Sequence, residues 1–287
     1  MRRLLVAFGL FASISGATAA DYERPPTLRG AEAVLPSASP CCPRWSGFYA
    51  GGQASHSSQS ADFRGGVSDL AGFIVRDSIF EGPVTGFTTL PNNSTNAFGF
   101  GGFFGYNSQW EELILGWELN YSHTSLDSHS SASMTRILAN NAVAPPGHNY
   151  IYDITVAGLA QIRVTDMLML RGRAGWTVGN FLPYLFLSPG IARADVTRSA
   201  SVTVLGTDVP DVTLPPTVPI IIPPFSDSRN DVKLGGYYFV YAAGVGLDVE
   251  IMPRVFVRLE YEALQLPDIQ GMSVSIQSVR TGLGLKF

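Results

Sequence analysis

Along most of this chain, large apolar residues recur at every second position rather than every third or fourth. In 97–107 the even positions Phe98, Phe100, Phe104 and Tyr106 are aromatic, and their neighbours are mostly Gly, Ala or Asn. In 112–123 the odd positions Leu113, Leu115, Trp117, Leu119 and Tyr121 are apolar, opposed by Glu112, Glu118 and Asn120. In 168–178 an even-numbered set running from Leu168 to Val178 opposes Arg171 and Arg173. Every odd position of 237–251 is apolar, and the even side carries Gly244, Gly246, Asp248 and Glu250. In 255–263 the residues Val255, Val257, Leu259, Tyr261 and Ala263 oppose Arg258, Glu260 and Glu262. A weaker version spans 181–196, with Leu182, Tyr184 and Phe186 on one side and Arg193 and Asp195 on the other. A period of two places alternate side chains on opposite faces of a strand. The pattern predicts an all-β protein.

Extended runs fall at 46–60, 96–108, 112–126, 150–165, 167–178, 181–196, 236–251, 254–265 and 273–287. Short connections lie at 109–111, 179–180 and 252–253, and long polar or Pro-rich ones at 61–95, 127–149 and 197–235. Short turns at one end and long loops at the other describe an antiparallel up-and-down barrel, which in bacterial single-chain members has an even strand count. Runs 150–165 and 167–178 travel in one direction, and Ile162, Val164, Asp166 and Leu168 share a parity. They read as one long strand whose upper part rises above the membrane. That gives eight strands; ten remain the alternative if 150–165 pairs separately.

Parity alone does not say which face meets solvent. A soluble sandwich turns its apolar face inward and a membrane barrel turns it outward. The polar faces here mix Arg and Glu with much Gly, which suits a crowded lumen. Trp45, Trp110, Trp176, Phe181, Phe256 and Phe287 fall near the expected periplasmic strand ends, as a lower aromatic girdle requires. Charged residues are only 15% of the chain. The predicted fold is therefore a membrane-spanning antiparallel β-barrel with long extracellular loops.

The ends of the chain agree. Residues 1–20 read as a signal peptide: Met1-Arg2-Arg3, an apolar run from Leu4 to Ile14, then small residues through Ala20. Residues 21–44 form a Pro-rich lead-in, expected in the periplasm, with adjacent Cys41 and Cys42 read as linker cysteines rather than a metal or lipid site. The barrel then occupies 45–287. Its final strand carries Arg280, Gly282, Leu285 and Phe287 in the order polar, any, Gly, any, any, apolar, any, aromatic. That order resembles the terminal signal read by the outer-membrane barrel-assembly machinery, an expected partner during insertion. The chain has 19 basic and 23 acidic residues, and the leader takes Arg2 and Arg3 from the basic side. Such a balance excludes nucleic acid as a partner.

Trp45-Ser-Gly-Phe-Tyr-Ala-Gly-Gly52 resembles the opening strand of the small outer-membrane immunogenic proteins of alphaproteobacteria. Leu170-Arg-Gly-Arg-Ala-Gly-Trp176 followed by Phe181-Leu-Pro-Tyr184 resembles that family's fourth strand, turn and fifth strand, and Tyr261 and the ending at Phe287 also fit. The resemblance covers about residues 45–287. It implies an eight-stranded barrel related to the OmpA-like transmembrane domain, abundant in the envelope, with some relatives associated with hemin binding or porin activity. The long loops and the extended 150–165 segment depart from the family pattern.

Glu112, Glu118, Arg171, Arg173, Asp248, Glu250, Arg258, Glu260, Glu262 and Arg280 share lumen-facing parity. An eight-stranded interior is just wide enough for side chains to fill, so these residues are expected to form an ion-pair network that plugs the lumen. A narrow path for ions or small solutes is the alternative. His123 and Ser125, with Asp127, share lipid-facing parity and suggest a third reading, a lipid-modifying hydrolase; Leu126 departs from the deacylase pattern they resemble. His56, His129 and His148 are scattered, with no spacing for a metal or heme. Residues 209–224 join many prolines to Ile220, Ile221 and Ile222, an apolar cluster that suggests a surface contact. The expectation is a structural and surface-interaction protein of the Gram-negative outer membrane, with no catalytic residue and no cofactor. Its partners are outer-membrane lipid and lipopolysaccharide, with room for an extracellular ligand at 61–95, 127–149 or 197–235.

Overall fold

The computed structural model describes residues 44–139, 144–210 and 218–287. The expected leader, most of the lead-in with Cys41 and Cys42, and the tip 211–217 lie outside the described residues. Eight strands close into one antiparallel barrel in sequence order. They are β1 (Gly47–Asp62), β2 (Asn93–Trp110), β3 (Leu113–Ala139), β4 (His148–Trp176), β5 (Phe181–Pro210), β6 (Phe225–Met252), β7 (Val255–Ile269) and β8 (Met272–Lys286). Closure runs from Tyr49↔Lys286 to Asp62↔Ser273 between β1 and β8. A closed ladder pairs the backbone polar groups that lipid would leave unsatisfied. The tight turns at the other end use left-handed backbone at Glu111, Gly179 and Arg254.

The expected eight strands stand, and the ten-stranded alternative does not, because 150–165 and 167–176 lie within the single strand β4. Two of the expected loops are corrected. Most of 127–149 and 197–235 is strand, so β3 to β6 run far beyond the others. The remaining connection, 61–95, folds into two short helices, α1 (Ser68–Ile74) and α2 (Glu81–Phe87). Pairing of β2 with β3 stops at Gly99↔Thr124, and that of β6 with β7 at Tyr241↔Gln265. Above those levels β3–β6 pair only with one another, as a four-stranded palisade, while β1 and β2 pair on to Ala61↔Asn93 and β7 and β8 to Ile269↔Met272.

The strands β4 and β5 reverse their polarity on the way up. In the lower part, Leu115, Leu119, Leu170, Leu185 and Leu187 are exposed, while Glu118, Arg171 and Arg173 are buried. In the upper part, Ile154, Val156, Ile162, Val164, Val196, Val202 and Val204 are buried, while Ser131, Thr155, Ser201 and Thr203 take the alternate positions. The lower half is built for lipid and the upper half for water. The register shifts near this changeover, between Val164 and Asp166 on β4 and between Ala194 and Val196 where β5 meets β6. The parity argument for β4 therefore needs correction: Ile162 and Val164 point inward and Leu168 outward, with the bulge between them. A bulge inserts one residue and switches the face of all that follow.

The upper lumen is filled by the connection between β1 and β2. Phe63, Val67, Leu70, Ala71, Val75, Val84 and Leu90 pack against Ile154, Val156, Ile162, Val196 and Val202 in one buried apolar cluster. Gly158, which faces this plug, leaves no room for a Cβ: one placed there would lie 2.8 Å from a methyl of Val67.

Candidate functional site

The lumen is closed by successive layers. At the turn end, Trp45, Tyr49, Phe103, Ile114, Leu182, Tyr184, Phe186 and Phe256 form a buried cluster. Trp45 meets Phe256 edge-on with centroids 5.9 Å apart. The Lys286 ammonium sits 4.3 Å from the Trp45 ring centroid, pairs with Glu250, and donates to the Arg44 carbonyl. Trp45 and Phe256 were expected in the lipid-facing girdle; both are inside. Trp110, Trp176, Phe181 and Phe287 are exposed.

Above this lies the charge network. Arg171 reaches Glu118 at 3.2 Å, Glu260 at 2.9 Å and Glu262 at 2.5 Å. Arg173 reaches Asp248 at 2.7 Å and Glu118 at 3.4 Å. Arg258 reaches Glu118 at 2.6 Å and Asp248 at 2.9 Å. Arg280 reaches Glu262 at 2.5 Å. Four guanidinium groups thus face four carboxylates, all buried, with no net formal charge. Two tyrosines knit them together: Tyr49 donates to Glu118 at 2.9 Å and accepts from Arg173 at 2.9 Å, and Tyr184 donates to Glu260 at 2.6 Å. Arg173 also stacks 3.8 Å from the Tyr184 ring centroid, and Arg258 lies 4.0 Å from that of Phe103. Buried charges are tolerable only when paired and hydrogen-bonded in this way.

Two of the expected members are elsewhere. Glu112 is exposed in the β2–β3 turn, where parity along a strand no longer applies, and its carbonyl accepts from the Thr177 N–H. Glu250 stays at the rim with Lys286. The sequence reading left Tyr49 and Asn120 out of this network, because an aromatic or amide on a mostly small or charged face carries no signal of its own; it also set Tyr184 with Leu182 and Phe186 on the apolar side of 181–196, and that side faces the lumen while Leu185 and Leu187 face outward.

A polar layer follows. Gln53 and Asn120 exchange amide hydrogen bonds, Ser57 meets Ser278 at 2.7 Å, and Gln59 donates to Ser128. The apolar plug closes the top. Arg198 is buried in β5 and ties the plug to the wall, reaching the Gly66 carbonyl at 3.0 Å, Asp69 at 3.0 Å, the Gln270 carbonyl at 3.2 Å and Asp231 at 2.7 Å. Hydrogen bonding from Arg198 holds the Asp231 carboxyl below its ordinary range.

The other candidates do not assemble. His123 pairs with Asp166 of the neighbouring strand at 2.8 Å rather than with Asp127. The Ser125 hydroxyl accepts from Arg163, and Asp127 accepts from Gln161. His148 pairs with Asp208, which also accepts the Ile220 N–H and so pins that loop to the hairpin. His56 and His129 are apart from both. No group of three metal-ligating side chains comes together among the described residues. In the last strand, Arg280 enters the network, Gly282 sits opposite Arg258, and Leu285 and Phe287 are exposed on the outer face.

A closed eight-stranded barrel with an apolar outer belt and a buried ion-pair lumen is an outer-membrane barrel. The chain belongs to the family described as the outer membrane protein beta-barrel domain, whose model matches residues 43–287. Its place is the Gram-negative outer membrane. Among solved structures it is similar to Neisserial surface protein A, at 14% identity and a TM-score of 0.37, covering 84% of this chain and 98% of that one. It is also similar to Ail, the attachment invasion locus protein of Yersinia pestis, solved with the heparin analogue sucrose octasulfate: 10% identity, TM-score 0.32, 84% of this chain and 99% of that one. The outer membrane protease OmpT from Escherichia coli matches at 7% identity and a TM-score of 0.27, covering 84% and 97%. No curated protein matches the chain.

Proposed function

We propose that this barrel is a closed structural and surface-interaction protein, with its long hairpins outside the cell and its turns and lead-in in the periplasm. We read it as one of the small immunogenic barrels of alphaproteobacteria, a reading supported by the resemblance of its Trp45–Gly52 and Leu170–Tyr184 segments. The observation that carries this reading is the lumen: aromatic, ionic, polar and apolar layers follow one another, and the β1–β2 connection fills the upper end. Its partners are the outer-membrane lipid and lipopolysaccharide around the belt, and an extracellular ligand on the β3–β4 and β5–β6 hairpins. During insertion the assembly machinery reads Arg280, Gly282, Leu285 and Phe287, with Leu285 and Phe287 accessible on the outer face. The work is recognition rather than catalysis. The test is single-channel recording of the refolded mature protein in a planar bilayer, with heat-modifiable gel migration as the check on folding. Folded protein is expected to be silent. Reproducible conductance steps would replace this reading with that of a narrow channel.

A further inference from the structure

At the changeover between the lipid-facing and water-facing halves, one lateral row crosses four strands on the outer face. His123, Asp166, Arg193 and Tyr237 are successive cross-strand partners on β3, β4, β5 and β6. Directly below them the next row is apolar apart from one hydroxyl: Tyr121, Leu168, Ile191 and Phe239, each between 39% and 60% exposed. Between the rows lies an open groove of about 580 Å³, with Leu168 and Ile191 as its lower part and Asp166, Arg193 and Tyr237 above.

The charges in this groove are not equivalent. Asp166 is already engaged, accepting from the Tyr121 hydroxyl at 2.8 Å and bonded to His123 at 2.8 Å. Asp195, the next outward carboxylate on β5, accepts the Gly235 N–H. The Arg193 guanidinium has no carboxylate within ion-pair distance among the described residues. It rests against Gly235, 3.3 Å from where a Cβ would stand, at the left-handed bulge of β6. An arginine outside any ion pair among the described residues thus sits at the lip of an apolar belt, with an aromatic hydroxyl beside it and acyl-compatible surface beneath. Arginine matches phosphate oxygens by forked hydrogen bonding, and aromatic tips favour the interface level.

The geometry points to a site for one phosphorylated outer-leaflet glycolipid, its phosphate on Arg193 and its acyl chains along Leu168 and Ile191. This rests on the reading that the long hairpins face outward, because such a lipid occupies only the outer leaflet. It names the lipid partner's contact, which the surface-interaction reading leaves open.

The test is native mass spectrometry of the full mature chain in detergent. The probes are bisphosphorylated lipid A, its dephosphorylated form and inorganic phosphate. Arg193→Gln is expected to weaken phosphorylated lipid A about tenfold, the scale of one lost charge-assisted hydrogen bond. Arg193→Lys should recover part of that loss. Arg136→Gln, far up the hairpin, should change nothing. Dephosphorylated lipid A should bind wild type and Arg193→Gln alike, and inorganic phosphate should not compete at equal concentration. Unchanged binding by folded Arg193→Gln overturns the site. So does equal affinity for dephosphorylated lipid, or full competition by phosphate alone. Orientation is read separately, by labelling Ile137→Cys with an impermeant maleimide on intact cells in a background lacking Cys41 and Cys42. Absent labelling removes the functional reading and the site together; labelling with no effect at Arg193 removes only the site.

Discussion

Arg171 is the sharpest place to perturb the lumen. Its guanidinium touches three carboxylates, Glu118, Glu260 and Glu262. Of these, Glu118 keeps Arg173 and Arg258 and Glu262 keeps Arg280 if Arg171 is lost. Glu260 keeps Tyr184 and a longer contact to Arg258 at 3.6 Å. Arg171→Met fills most of the volume but leaves the network one positive charge short in a buried site. Removing one partner of a buried pair costs about 3–5 kcal/mol. Adding Glu260→Gln restores neutrality and preserves an acceptor for Tyr184. The double variant should therefore lose about 1–3 kcal/mol less than the sum of the singles, the usual coupling for contacting groups. The control is Arg163→Met, an exposed arginine hydrogen-bonded to Ser125, which should change stability by less than about 1 kcal/mol. Unfolding by guanidinium in lipid vesicles, followed by Trp fluorescence, measures the wild type and all four variants. Additive losses, or a single-variant loss no larger than that of Arg163→Met, would refute the argument that the pairs act as one neutral unit. The Arg171→Met barrel should still be silent in a bilayer, because the aromatic and apolar layers on either side are untouched.

Three further outcomes are expected. Arg198→Ala should release the plug from the wall without unfolding the barrel, seen as faster proteolysis between Arg64 and Leu90. The Asp231 carboxyl is held low by Arg198, so its contribution is present above the unfolded carboxylate pKa of about 3.9 and is lost as pH falls through the lower folded value; the same proteolytic signal should rise only on acidification below about pH 4. Trp45→Ala should cost about 3–5 kcal/mol, as for a buried aromatic, whereas Trp110→Ala on the outer face should cost less, compared by the temperature at which each loses its folded gel mobility.

The lower barrel was legible because its rule is uniform. From Leu113 to Tyr121, or Tyr237 to Ile251, the odd-numbered apolar run faces outward, and the opposite face is mostly small, polar or charged, with Ile114 and Val240 buried among it. The upper barrel was illegible for the converse reason. Segments such as Thr197–Leu205 alternate small polar with apolar residues, yet Val202 and Val204 point inward there. A reading that equates apolar with outward discards them as loop. Asp166 marks the boundary, and the extra residue beside it flips the parity that sequence counting carried across. Trp45 and Phe256 misled differently. Aromatics near strand ends serve a girdle or a lumen equally well, and only cross-strand register tells which. The ionic site was largely readable from parity on β4, β6, β7 and β8, where Arg and Glu stand opposite apolar runs. Glu112 failed because it belongs to a turn.

The palisade of β3 to β6 has one more consequence. With the long hairpins outside the cell, as proposed above, the surface presented outward is a framework already fixed in register rather than a set of loops without strand pairing. A partner that docks on it has little ordering entropy to overcome, so contacts there translate into affinity more fully than on a disordered segment. The same rigidity divides the surface into two classes of position. Ser199, Ser201 and Thr203 face water and are free to drift under pressure from the environment, while Ala200, Val202 and Val204 between them are held by the packed interior. Diversity on this face should therefore appear as every second residue.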